Sequence, residues 1–393
     1  MNEKNLPNCP VVLQTGFRIF FLGALVHAII SIWMWMGFYA LGWDIFIPMP
    51  INIWHGHEMI YGFTMAVVAG FLLTAVMNWT GRPTLQGTPL LVLFLLWAAG
   101  RVLAFMPGMG ALKTMVIVDC IFLGYLIIAV SLPIIKTKQW HQSAVLSKVI
   151  ILFICNIFFF QAVFNNTLQS AHSNLLFAVY MMVSLIFTIG RRVIPFFVGK
   201  ALGSSGIKNS KNLDMASLVL IVLFSIFDSF WPHFRIIPVL AACLVGIHIW
   251  RLKGWYLPGI WKKPLLWILF VGYAFLIIGF ILKVFCHTHN LSVDYSLHAF
   301  TYGGIGIFTL GMMARVALGH TGRDVQKPSP LVFWMFIILI VGACVRIFLP
   351  IINEDFYLMA IVIGQLLWML TFILFAIVYI PILVSKRPDG KWG

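Results

Sequence analysis

The chain has 393 residues, of which 62% are hydrophobic and only 9% charged. That composition excludes a soluble enzyme with a charged surface and a disordered chain. The formal net charge of +15 at pH 7 is accounted for by basic loops facing anionic lipid, so it gives no ground for nucleic-acid binding.

Apolar runs of about 20 residues, the length that crosses hydrocarbon as a helix, recur from end to end between Pro, Gly and charged punctuation. They predict twelve spans, at 17–40, 56–78, 88–106, 112–134, 145–165, 172–195, 213–230, 236–252, 263–284, 295–318, 329–349 and 357–384. The seventh and eighth are divided at "FWPHFRIIP". The expected fold class is all-α, a polytopic transmembrane helical bundle forming a single integral membrane domain over 1–393. The polar stretch "GKALGSSGIKNSKNLDM" divides it into halves, 1–200 and 213–393, with no convincing sequence repeat across that division. The first span is too long for a signal-peptide core and reads as a retained helix.

Lys and Arg in short loops are held on the cytoplasmic side of a membrane. With an even number of spans and both termini cytoplasmic, 21 of the 26 basic residues fall on that side, Lys4, Arg82, Arg192, Lys208, Arg315, Arg323 and Arg387 among them. The opposite loops carry Asp44, Glu354 and Asp355. Six scattered cysteines show no metal spacing and read as small apolar packing residues. No phosphate-binding glycine motif occurs, which argues against ATP-driven transport by this chain alone.

The second span opens with "WHGHEMIYGF", and ionisable groups inside a membrane segment are functional candidates because hydrocarbon penalises them. His55, His57, His172 and His298 fall at similar depth near the outer surface. On a regular helix His55 faces Glu58 and Met59, and His57 faces Tyr61, so the pair does not converge on one atom. One imidazole as ligand and one as its support is the expected use. Imidazole suits haem iron and copper, with a neighbouring carboxylate to orient the ring. In "HAFTYGGIGIFTLGMMAR" Gly303, Gly304, Gly306 and Gly311 strip a helix of bulk, which suits either a flat macrocycle or the close approach of two helices.

On the cytoplasmic side "NWTGRP", "GRRVIPFF" and "ARVALGHTGR" gather Asn78, Arg82, Arg191, Arg192, Arg315, His320, Thr321 and Arg323. Arginine forks there suit an anionic cofactor edge or a lipid phosphate, and His320 is a candidate ligand for a separate metal. Arg101 and Asp119, on consecutive antiparallel spans at matching depth, predict an ion pair within the bundle.

Together "FRIFFLGAL", "WHGHEMIYGF", "AGFLLTAVMNWTGRP", "LWAAGR", "GRRVIPFF" and "LHAFTYGGIGIFTLGMMARVALGHTGR" resemble the NnrS family of bacterial inner-membrane proteins. The resemblance covers most of the chain. It implies a twelve-helix protein that binds haem, expected to be b-type, with copper as a second candidate metal, and that acts in the response to nitric oxide and nitrosative stress. Carried over by motif, the functional positions are His55, His57, Glu58, Asn78, Trp79, Arg82, Arg101, Arg192, His298, Arg315, His320 and Arg323. The expected partners are the lipid bilayer and nitric oxide or a derived species, and a nitric-oxide-directed redox activity is left open. The rival reading is a transporter or exporter of haem, copper or an iron–nitrosyl species.

Overall fold

The computed structural model describes residues 9–44, 47–203, 207 and 210–393; Lys4 and Lys208, counted above among the cytoplasmic charges, lie outside the described residues. Among the described residues the chain is helical with no strands. Twelve long helices follow in order: α1 (Gly16–Leu41), α2 (Ile51–Thr80), α3 (Thr88–Leu103), α4 (Met109–Lys136), α5 (Ser143–Phe164), α6 (Leu168–Leu202), α7 (Lys211–Phe230), α8 (Ile237–Trp255), α9 (Pro264–Thr288), α10 (Val293–His320), α11 (Pro330–Ile352) and α12 (Tyr357–Val384). Eleven are long and apolar enough to cross a membrane, and α3, with 16 residues, is shorter.

The helix ends follow local chemistry. Proline occupies the first turn of α3, α8, α9 and α11, where its missing N–H costs nothing. Gly42 and Gly81 end α1 and α2 at φ +65° and +66°, a backbone region that side chains with a Cβ resist. Large apolar side chains such as Val102, Ile117, Trp250 and Ile377 are more than half exposed, which suits a lipid solvent and not water.

Two helices are not α-helical throughout. Glu58–Thr64 within α2 and Ala299–Gly306 within α10 are π-helical. A π turn inserts a residue and takes carbonyls out of the i→i−4 ladder. In α2 side chains meet the freed groups: Thr64 Oγ1 donates to Met59 O at 2.7 Å, and Trp97 Nε1 donates to Gly62 O at 3.0 Å.

By their contacts the residues fall into two compact units that interleave along the chain. The first comprises Met1–Leu175, Met313–Val325 and Phe372–Gly393, and the second Leu176–Met312 and Gln326–Thr371. In the first, α1 packs along α2, and α3 and α4 pair with each other. In the second, α9 packs against α8 and against the π segment of α10. The glycines of α10 serve that approach: a Cβ at Gly303 or Gly304 would strike Phe275 or Leu276 of α9, one at Gly306 would lie 2.7 Å from Trp368, and one at Gly311 2.8 Å from Ile268. Neighbouring helices fill the glycine face.

Candidate functional site

Five helices of the first unit each place polar side chains in one buried cluster. Arg101 on α3 is held between two carboxylates, with Nη1 2.6 Å from Glu58 Oε1 on α2 and Nη2 2.5 and 2.6 Å from the two oxygens of Asp119 on α4. The expected Arg101–Asp119 pair thus forms, and Glu58 joins it. His57 bonds through Nδ1 to Glu58 Oε1 at 3.0 Å and through Nε2 to Asn156 Oδ1 on α5 at 3.0 Å. His27 on α1 lies 3.3 Å from Glu58 Oε2 and bonds to the Glu58 carbonyl at 3.2 Å. Glu58, His57 and Asn156 are fully buried, and the other three nearly so.

Charge dictates the composition of this cluster. Two carboxylates and one guanidinium lie buried together, and hydrogen bonds within the cluster replace those the groups would make in water. His57 sets one ring nitrogen against the Glu58 carboxylate and the other against the Asn156 amide, whose Nδ2 has no partner; turning that amide would exchange an acceptor for a donor at Nε2. Gly62 is required because a Cβ there would fall on His27 Nε2.

The expected geometry of the motif is met in part. His57 stacks on Tyr61, with ring centroids 4.9 Å apart, as helical spacing demands. Glu58, expected to face His55 at the lipid rim, instead bonds to His57 and Arg101 in the interior, because the π segment begins at Glu58 and redirects it. A metal on His57 would have to displace Glu58 or Asn156. His55 is half-buried and stacks on Trp35 at 4.2 Å, and His172 is exposed. Among the described residues no three His, Cys, Asp or Glu side chains are gathered as for a metal ion.

The arginine set divides between the units. Arg82, exposed, Arg315, buried, and Arg323, half-buried, belong to the first unit, as does His320, whose ring lies 5.8 Å from that of Phe17. In the same unit Arg18 is fully buried and donates to the carbonyls of Leu383, Ser385 and Gly393, while Arg387 donates to His320 O and binds Asp389. Arg387 holds the Asp389 carboxyl well below the usual range. Arg192 belongs to the second unit, next to Arg191, which joins Arg251 on Asp214 at 2.5 and 2.8 Å.

His298 also belongs to the second unit. Its ring is half-buried and Nδ1 lies 2.7 Å from Asp294 O. Arg315 falls in the first unit and His298 in the second. Sequence reasoning missed the second unit's other buried polar groups: His248 between Tyr273 and Ser217 at 2.6 and 3.2 Å, Asp228 bound by Lys283 at 2.9 Å and Tyr180 at 2.5 Å, and Arg346. The signal was present as single charges inside the apolar runs "SIFDSF", "ILKVF" and "ACVRIF".

The π segments expose a second missed signal. They begin one residue after His57 and one after His298. Laid in that register, 57–82 and 298–323 are identical at seven of 26 positions: His57/His298, Tyr61/Tyr302, Gly62/Gly303, Gly70/Gly311, Thr80/Thr321, Gly81/Gly322 and Arg82/Arg323. The contacts repeat too. Tyr61 and Tyr302 donate to backbone carbonyls at 2.9 and 2.8 Å, Thr80 and Thr321 bond back one turn at 2.7 Å, and Gly81 and Gly322 have φ +66° and +70°. To the reading that no convincing repeat crosses the division into halves, this adds one local recurrence, confined to one helix of each half and 241 residues apart (298 − 57).

The family model described as NnrS protein matches residues 11–387. No curated protein matches the chain.

Proposed function

Because the chain belongs to the NnrS family, a family of nitric-oxide-related membrane proteins, we propose that it is a haem protein of the bacterial inner membrane, with cytoplasmic termini, that protects the cell from nitrosative stress. The observation that carries this reading is the hydrogen bond of His298. A backbone carbonyl only accepts, so Nδ1 carries the proton toward Asp294 O and the lone pair of the neutral ring lies on Nε2. Metal-ligating histidines are oriented in this way. Haem iron, once bound, supplies reversible ligation and one-electron chemistry toward nitric oxide.

The chain's own residues hold and shield. Asp294 O fixes the His298 tautomer, and Tyr302, one turn on, anchors the helix to Gly364 O at 2.8 Å. Nitric oxide is small and neutral, so a site at this depth needs no polar channel. In the first unit, Glu58 and Asn156 fix the His57 ring, and a metal there would be taken by His55. Copper has weaker support, with no cluster of three donors among the described residues, and no step is assigned to it.

The test is the optical spectrum of detergent-purified protein, oxidised and reduced, with and without nitric oxide. A Soret band that shifts with nitric oxide is expected, lost in His298→Ala and retained in His141→Ala and His233→Ala. A protein that takes up no haem, yet moves haem, copper or an iron–nitrosyl complex into sealed vesicles, would overturn the fixed-cofactor reading in favour of export.

A further inference from the structure

We infer that Arg346 on α11, together with Gln365 on α12, is the seat for a carboxylate carried by the group that His298 holds. This rests on the haem reading of His298 and adds to it the residues that grip the cofactor's acidic edge.

The second unit pairs its other strongly buried cations with carboxylates: Arg251 has Asp214 at 2.8 Å and Lys283 has Asp228 at 2.9 Å. Arg346 is only 7% exposed and has no carboxylate within salt-bridge distance among the described residues; its Nη1 is buried with no hydrogen-bond partner. Gln365, 6% exposed, is likewise buried with neither amide atom bonded. An unpaired guanidinium in the interior is costly, and natural proteins pair such groups or use them on a ligand.

Two chains of contact tie Arg346 to His298. His298 Nδ1 bonds to Asp294 O, Tyr357 Oη donates to Asp294 Oδ2 at 3.4 Å, and the Arg346 guanidinium lies 5.3 Å from the centre of the Tyr357 ring. On the other side, Tyr302 follows His298 by four residues and donates to Gly364 O, and a Cβ on Gly364 would lie 3.2 Å from Arg346 Cβ. Gly364 therefore clears the path of the arginine stem and Gln365 follows directly. Depth agrees as well: Arg346 stands six residues before the end of α11 and His298 five after the start of α10, each roughly 8–9 Å along its helix.

The chemistry of the seat selects the ligand class. A guanidinium fork with unused N–H donors matches the two oxygens of a carboxylate, and an amide beside it adds a donor and an acceptor. A haem carries carboxylates on one edge of its ring, and Arg346 and Gln365 belong to the same unit as His298. Asp294, an acid of the same cluster, accepts from Tyr357 Oη.

The experiment compares haem with its dimethyl ester, whose carboxylates are capped, by titrating each into haem-depleted full-length protein and following the Soret band. Wild type should bind the free acid at least about tenfold more tightly than the ester, the scale of a hydrogen bond to a charged group. Arg346→Gln should abolish that preference, Arg346→Lys should keep part of it, and Gln365→Leu should reduce it. Equal binding of acid and ester by folded wild type would overturn the seat even if haem binds well. An unchanged preference in Arg346→Gln would move it elsewhere. Wild type that binds neither form would sink the haem reading itself, and the seat with it; the wild-type comparison needs no variant to fold.

Discussion

Arg101 shows how much depends on one side chain. It touches both Glu58 and Asp119, so its removal leaves two carboxylates buried without their cation. Arg101→Ala is expected to destabilise the protein by about 3–5 kcal/mol, the range for breaking a buried ion pair from one side, read as a lower melting temperature in detergent. Glu58→Gln should cost less, because the amide oxygen still accepts from Arg101 and a charge leaves with the substitution. If Arg101→Ala melts as wild type does, the cluster is hydrated and the burial argument fails. The pairing of Arg101 with Asp119 was legible in the sequence because consecutive antiparallel helices put equal depths side by side. The arrival of Glu58 was not, since one residue of π insertion is invisible to a 3.6-residue count.

At the scale of the element, the two π segments are what aim the histidine-bearing turns. Deleting one residue from a π segment restores the α register and rotates everything on one side of it by about 100° relative to the other. Deleting Thr301, within Ala299–Gly306, should turn the His298 end of α10 away from its partners and abolish haem retention while the protein still inserts. Wild-type haem content in that variant would show that the π geometry is incidental. Gly62→Ala tests the other copy: the new methyl would fall on His27, so loss of thermal stability is expected, relieved when His27→Ala is added. The spans themselves were legible to within about seven residues at either end, from 172–195 against Leu168–Leu202 to 357–384 against Tyr357–Val384.

On the scale of the whole molecule, the proposed orientation rests on charge asymmetry, and it predicts that reporter fusions at both termini are cytoplasmic. A periplasmic reading at either end would break the even-span topology. The C-terminal segment is tied into the first unit through Arg18 and Arg387, and Asp389 is the titratable part of that tie. Its carboxyl is held low by Arg387, so its contribution is present at neutral pH and is lost as pH falls below the ordinary aspartate range near about 4. Hydrogen exchange over 385–393 should therefore accelerate in acid, and Asp389→Asn should reproduce that loosening at pH 7.

The sequence by itself determined the solvent and the fold class, because twelve greasy runs admit only lipid and lipid admits only helices that satisfy their own backbone. It also determined the family, through motifs such as "WHGHEMIYGF" and "GHTGR" that any chain carrying them displays without folding. It did not determine partners. Glu58 left His55 for His57, Arg18 turned to the carbonyls of α12, and Arg346, unremarked in "ACVRIF", came within reach of the His298 cluster through Tyr357 and Gly364. Only the tertiary structure decided these, because a helix fixes where a side chain sits along and around its own axis, while which side chain it meets is set by how neighbouring helices rotate and slide to fill space.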